Sequence, residues 1–321
     1  LALTEDEWLH GWDETPGIVS VWAEAEGRAL VWRRDRRART LVREVERFRP
    51  WLLLPTLADL RHLGRRLQPH DDAADESAIT FEELEGAAGL RYLVRGPDSR
   101  QLRTAVLRGA SQRLGRSIAG VRELGADALL MLPSEEQYLV ASGRTYFRDL
   151  DFDDVQRLQF DLETTGLDPD VDRVFLVALR APNGEHELLE ATADDDASEA
   201  ELLRRLAARI VFHDPDVIEN HNLHGFDLPF LMRRAERLRV RLAFGRAANV
   251  DFSLRPASRG ARLGQAGSGW VERLRRARYT VPGRELLDSM DAVRRYDFSA
   301  RDLPGHGLKA VARHFGLATD D

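Results

Sequence analysis

The most restrictive stretch of this chain is Gln159-Phe160-Asp161-Leu162-Glu163-Thr164-Thr165-Gly166-Leu167. In a strand, residues i and i+2 leave by the same face, so Asp161 and Glu163 project together while Leu162 points to the opposite, packed face. Two carboxylates side by side repel, and burying them uncompensated is costly. They persist most easily when a divalent cation neutralises them. The chain has no Cys, so oxygen-rich ligation by Mg²⁺ or Mn²⁺ is the natural choice. Gly166 is expected to let the backbone turn sharply just after the acids. Asp-x-Glu alone is a weak signal, because strand ends are often acidic.

A second segment strengthens it: Asn220-His221-Asn222-Leu223-His224-Gly225-Phe226-Asp227. It follows an apolar strand expected over 216–220 and precedes a helix with Leu228, Leu231, Ala235 and Leu238 on one face. Asp227 reads as an N-cap, with Pro229 in the first turn, or more sharply as a carboxylate facing Asp161 across the sheet, and an N-cap position is compatible with both. His221 and His224 are expected to be solvated loop histidines, since hard oxygen sites rarely need imidazole.

The remaining pattern gives two domains, 1–150 and 151–321. In the first, strands are expected at 18–22 and 29–32 around Glu26-Gly27, then at 51–54, 90–94, 129–132 and 137–140. Helices are expected at 57–67 and 99–114, which makes an α+β domain on a ferredoxin-like or similarly small sheet. The acidic stretch 70–77 reads as a solvated loop. In the second, strands at 157–163, 173–180 and 186–190 precede a helix. Ser198 is its expected N-cap with Glu201 three residues on, after a loop at Asp194–Asp196; Leu202, Leu203, Leu206 and Ile210 form its buried face. The order strand–strand–strand–helix–strand–helix predicts an α/β fold, a mixed sheet covered by helices. Residues 256–269 read as a loop and 308–315 as a last helix.

Composition excludes several classes. Of 321 residues, 43% are hydrophobic and 31% charged, enough for a real core. No apolar run approaches the roughly 20 residues of a membrane span, and no signal peptide is visible. The lack of Cys excludes disulfide and thiol chemistry and fits a cytoplasmic setting. The net charge of −7 hides a block at 150–227 with 6 basic and 20 acidic residues and another at 228–285 with 14 and 4. In the second block Arg273, Arg275, Arg276 and Arg278 lie beside Trp270 and Tyr279. They form either a track for single-stranded nucleic acid or a solvated helix face.

The two acidic segments resemble the 3′→5′ exonuclease domain of family B DNA polymerases, within the DnaQ-like, ribonuclease H-like nucleases. Asp161 to Leu167 is similar to that family's first motif, D-x-E-T-T-G-L, and Asn222-x-x-x-Phe226-Asp227 to its second. Arg49-Pro50-Trp51, Glu136-Gln137-Tyr138-Leu139 and Phe147 resemble the family's N-terminal domain. Pro282-Gly283-Arg284 with Asp288, and Gly307-Leu308-Lys309-Ala310-Val311-Ala312, resemble the region after the second motif.

The resemblance implies a ribonuclease H-like mixed sheet with flanking helices, preceded by an α+β N-terminal domain. It implies two-metal hydrolysis of the last phosphodiester of DNA as proofreading. Asp161 would bridge both ions, Glu163 hold the first and orient the attacking water, and Asp227 serve the second. Thr164 and Leu167 would meet the terminal nucleotide, and Asn222 and Phe226 the penultimate one, with core packing the competing role for Leu167 and Phe226. The implied partner is single-stranded DNA or a primer 3′ end, with a sliding clamp as a further candidate. The family's third motif, Tyr-x-x-x-Asp, does not occur: Tyr279 leads to Gly283 and Tyr296 to Ala300, and His306 and His314 lack the Asp of the related variant. The domain is therefore expected to be completed beyond Asp321. A stand-alone nuclease of the same fold and a degenerate nucleic-acid-binding module are the alternatives.

Overall fold

Alternating burial along one strand sets the architecture of the site. The computed structural model describes residues 11–37, 40–70, 77–86, 89–125, 128–247, 250, 252–255 and 278–318. The chain divides into two compact units at Asp149/Leu150.

In the first unit, β1 (Ile18–Ala23), β2 (Arg28–Asp35) and β3 (Thr40–Arg47) form an antiparallel sheet. The expected hairpin is there, turning at Gly27 with φ 75°. Then β4 (Trp51–Leu54), β5 (Leu67–Pro69), β6 (Ile79–Glu83) and β7 (Tyr92–Arg95) form a second sheet in the order β4-β7-β6-β5. Two separate sheets replace the single small ferredoxin-like one. The predicted helix at 57–67 is a 3₁₀ segment, Ala58–Arg66, broken at Gly64 where φ is 55°. Helix α1 (Ser99–Leu114) is capped by Asp98, whose carboxylate accepts from Arg100 N at 2.6 Å and Gln101 N at 3.3 Å.

Two predicted strands are not formed. Residues 137–140 lie in helix α2 (Ser134–Ser142), which starts after Pro133 with Glu135 and Glu136 in its first turn and ends at Gly143 with φ 70°. Acids at the positive end and a left-handed glycine at the other favour a helix over a four-residue apolar run. Of 129–132, only Leu130 pairs, by one bridge to Leu53. The stretch 70–77 falls almost wholly outside the described residues.

The second unit holds a five-stranded sheet. Its strands are β8 (Arg157–Thr164), β9 (Val174–Arg180), β10 (His186–Glu190), β11 (Val217–Asn220) and, after β12 (Ser253–Arg255) and β13 (Arg278–Thr280), β14 (Glu285–Asp288). Their order is β10-β9-β8-β11-β14. The β10–β9–β8 side is antiparallel, while β8, β11 and β14 run parallel. This is the mixed α/β sheet that the element order predicts. Helices α3 (Asp196–His213) and α4 (Leu228–Leu238) supply Leu202, Leu203, Leu206, Ile210, Leu228, Leu231 and Ala235 to one core with Leu158, Phe160 and Leu162 of β8. Helices α5 (Ser289–Ala300) and α6 (Leu308–His314) follow β14.

The cap of α3 is Asp195 rather than Ser198, which lies inside the first turn and donates its backbone N–H to the Asp195 carboxylate at 2.7 Å. The acid three residues upstream outcompetes the serine, because an anion at a helix N-terminus gains from the dipole as well as the hydrogen bond. A buried ion pair ties the layers together: Arg234 donates to Glu199 at 2.8 and 2.5 Å, Glu199 accepts from Val174 N at 3.0 Å, and Arg234 reaches the Pro169 carbonyl at 3.1 Å. The loop after the first acidic segment is thus fastened to both helices.

Candidate active site

Parallel strands bring their C-terminal ends to one edge of the sheet, and in this chain all three ends are polar. Asp161 and Glu163 leave β8 on the exposed face, opposite buried Leu158, Phe160 and Leu162. β11 ends at Asn220, which is in register with Asp288 at the end of β14. Open α/β sheets place ligand sites at such carboxyl ends.

Asp227 reaches this edge through an irregular turn. Asn222 has φ 71°, and Leu223–Asp227 form a single π-turn in which Leu228 N bonds to the Leu223 carbonyl. Such π-turns concentrate at functional sites. The turn runs straight into α4, with Pro229 in the first turn, and Asp227 itself has helical φ −60° and ψ −53°. Its side chain makes no cap hydrogen bond. Asp227 thus holds the N-cap position without capping the helix: its carboxylate is buried, 2% exposed.

Asp227 is electrostatically uncomfortable. Its Oδ1 is buried without a hydrogen-bond partner. Burial, and then the charge of Asp161, push its carboxyl up to about 7 from 3.8, with Asp288 adding to the effect. Asn220 sits beside the two acids: its Nδ2 donates to Asp161 Oδ1 at 3.4 Å, and its carboxamide partly offsets the rise at Asp227. Among the described residues no three His, Asp or Glu side chains converge into a ready-made metal cage. An orphaned carboxylate oxygen beside a second carboxylate is nonetheless a fit for a hard cation, which would satisfy the oxygen and cancel the repulsion.

The other predicted positions are spread along the same edge. Glu163 is exposed on β8, two residues beyond Asp161. Thr164 is engaged, its hydroxyl donating to the Gly166 carbonyl at 2.7 Å. Leu167 is 82% exposed, so the core role weighed for it does not hold. Phe226 is half-buried against the core, its ring 5.5 Å from that of Phe230. Asn222 donates its backbone N–H to Asp288 at 2.8 Å. Gly166 does not adopt a left-handed φ. Space is what it supplies, since a Cβ there would lie 2.4 Å from Asp172 Oδ2.

The histidines are not solvated loop residues. His224 is buried, accepts from Tyr279 N at 3.2 Å and stacks on the Tyr279 ring at 6.3 Å. Burial first, offset in part by Asp288, lowers its pKa, so it stands neutral as a structural strut. His221 is half-buried between Ser289 Oγ at 3.0 Å and the His306 carbonyl at 2.7 Å. Short polar connections between adjacent strand ends leave a histidine within reach of backbone partners, which a linear reading does not show.

The basic block also changes meaning. Arg234, Arg246 and Arg284 are buried in ion pairs with Glu199, Asp214 and Asp216. Arg278 pairs with Asp291 at 2.6 Å and Arg233 with Asp170 at 2.6 Å. Much of the local positive charge thus serves the fold. Trp270, Arg273, Arg275 and Arg276 lie outside the described residues, as does the loop at 256–269.

Asp288 is a further residue of the site, which the sequence motifs do not single out. Its carboxylate accepts from Asn222 N at 2.8 Å, His224 N at 3.1 Å and Met290 N at 3.0 Å, so it caps α5 and clamps the turn that delivers Asp227. The available signal was an acid closing a short apolar strand immediately before a helix.

Residues 151–311 match the family profile described as "DNA polymerase family B, exonuclease domain". The chain belongs to this family. Within it, 79 residues are 40% identical to DNA polymerase 2 of Aeropyrum pernix, covering 25% of this chain and 10% of that one. A further match, 34% identical over 115 residues, is to a DNA polymerase of Thermococcus litoralis, covering 36% and 6%. The DNA polymerase delta catalytic subunit of Mesocricetus auratus is 31% identical over 131 residues, covering 40% and 11%. The matched segments thus span about a tenth or less of those relatives. The structure of the family B DNA polymerase from the archaeon Pyrobaculum calidifontis superposes with a TM-score of 0.60 at 18% identity, covering 94% of this chain and 39% of that one. That likeness shows the fold alone: a ribonuclease H-like mixed sheet with flanking helices, preceded in the chain by an α+β unit. No described helix is long and apolar enough to cross a membrane.

Proposed function

We propose that this chain is the proofreading part of a family B DNA polymerase, a 3′→5′ exonuclease that hydrolyses the terminal phosphodiester of a DNA strand. The observation that carries the reading is Asp227: a buried carboxylate with an unpartnered oxygen, facing Asp161. Nothing in a merely structural role compensates that cost, whereas two hard divalent ions would.

Asp161, Glu163 and Asp227 are the residues that would hold Mg²⁺ or Mn²⁺, two ions in all, with the Asp of a third motif completing the set. The ions supply charge neutralisation at the scissile phosphate and an activated water for in-line displacement. The chain's own contribution is placement. Asp161, carried on a central strand with Leu162 locked in the core, has little freedom to move. Glu163, exposed at the strand end, is free to orient the attacking water. Asp227 is held from behind by the Asp288 clamp on its turn. Thr164 and Leu167 are assigned to the terminal nucleotide and Asn222 and Phe226 to the penultimate one. The half-buried Phe226 ring has an exposed part available for stacking.

The same reading gives single-stranded DNA or a primer 3′ end as the partner, a sliding clamp as a candidate second partner, the boundary near residue 150 as a domain boundary, and the cytoplasm as the location. It is tested by Mn²⁺-dependent release of nucleotides from 3′-labelled single-stranded DNA by the full-length protein. Asp161→Ala should abolish release; undiminished release by that variant would refute the site.

A further inference from the structure

We infer that Asn220 is a positioning residue, its carboxamide orienting Asp161 beside Asp227 as a donor set for the divalent ions. The inference rests on the nuclease reading above and adds to it a residue outside both acidic motifs.

The orientation of the amide is determined by its neighbours. Asn220 Oδ1 accepts the backbone N–H of His221 at 2.7 Å. The oxygen end therefore faces the main chain, and the NH₂ end must face the other way. There it donates to Asp161 Oδ1 at 3.4 Å, the acid whose charge acts on Asp227. An NH₂ group carries two donor hydrogens and accepts none, so it can orient a carboxylate without competing with it for a cation. Its acceptor oxygen is turned to the His221 backbone. Asn220 is thus placed to hold a ligand rather than to be one.

The support behind Asn220 is itself ordered. Its backbone carbonyl accepts from Ser289 Oγ at 3.4 Å, and Ser289 Oγ also lies 3.0 Å from His221 Nδ1. The His221 ring is fixed at its other nitrogen by the His306 carbonyl at 2.7 Å. The strand pairing adds register, since Asn220 lies directly beside Asp288. Partners of this kind, which orient the carboxylates that meet an ion, change metal affinity when removed.

The test is calorimetric Mn²⁺ binding by the full-length protein without DNA, alongside the Mn²⁺ dependence of nucleotide release. Asn220→Ala should bind Mn²⁺ about tenfold or more weakly. It should need correspondingly more Mn²⁺ for half-maximal release, with KM for DNA at saturating Mn²⁺ unchanged. Asn220→Leu keeps the side chain's approximate shape and loses the amide, so it should be as weak as Asn220→Ala. Wild-type Mn²⁺ affinity in either variant overturns the inference, and recovery in Asn220→Leu alone would reduce the residue to packing. Asp161→Ala separates the two levels: if it binds Mn²⁺ like wild type, the nuclease reading itself fails, whatever Asn220 does.

Discussion

Replacing Asp227 by Asn should make the metal-free protein more stable while removing its nuclease activity. The carboxyl titrates at about 7 in the folded chain against an ordinary 3.8. A folded-state pKa raised in this way means the native state holds its proton more tightly, so the favourable contribution is complete below pH 3.8 and is lost as pH rises through about 7. The difference is about 3 pK units, which at 1.36 kcal/mol per unit is about 4 kcal/mol of destabilisation at pH 8. At pH 5, only about one unit above the unfolded value, the same arithmetic leaves about 2 kcal/mol. An amide does not titrate, so Asp227→Asn escapes this penalty. For a unit of this size the pH 8 gain corresponds to a rise in Tm of about 10 °C. The assay is thermal unfolding in chelator at pH 5 and pH 8, repeated with Mn²⁺. Mn²⁺ should raise the wild-type Tm most at pH 8 and leave Asp227→Asn almost unmoved. A variant that melts with wild type at pH 8, or gains equally at both pH values, would show that Asp227 is not a strained carboxylate.

Other expectations follow from the same geometry. Glu163→Ala should lower Mn²⁺-dependent release at least about 100-fold, the upper end of what outer partners cost, without changing Tm, because Glu163 is exposed. Leu167→Ala should raise KM for single-stranded DNA by several-fold with unfolding unchanged, since the side chain is 82% exposed and touches no core; an unchanged KM would remove Leu167 from the substrate site. Asp288→Ala frees three backbone N–H groups and should cost about 3 kcal/mol in denaturant unfolding as well as activity. Arg234→Met strands buried Glu199 and should cost about 3–5 kcal/mol, an effect that denaturant titration near neutral pH would detect.

Much of the second unit can be read from its residues, because apolar periodicity and burial coincide there. Phe160 and Leu162 alternate with Asp161 and Glu163, and Leu202, Leu203, Leu206 and Ile210 recur at helical spacing. What escapes linear reading is competition between local and distant partners. Ser198 and Asp195 are both good caps, and only the charge decides between them. The strand β3, Thr40–Arg47, hides behind charged residues because its outer face is solvated and its partner is β2. In the site, Asp161 and Glu163 were legible as a pair, but the turn that buries Asp227 was not, since a π-turn has no composition of its own. Asn220 and Asp288 were invisible as a unit: 68 residues separate them, and only parallel pairing makes them neighbours.

The π-turn at Leu223–Asp227 sets the phase of everything after it. Each residue in a helix turns the chain by about 100°, so inserting or deleting one residue before Asp227 would swing its carboxylate away from the strand ends while leaving α4 free to keep its apolar face inward by re-registering. The spacing from Asn222 to Asp227 is therefore a measured length, intolerant of any change in count.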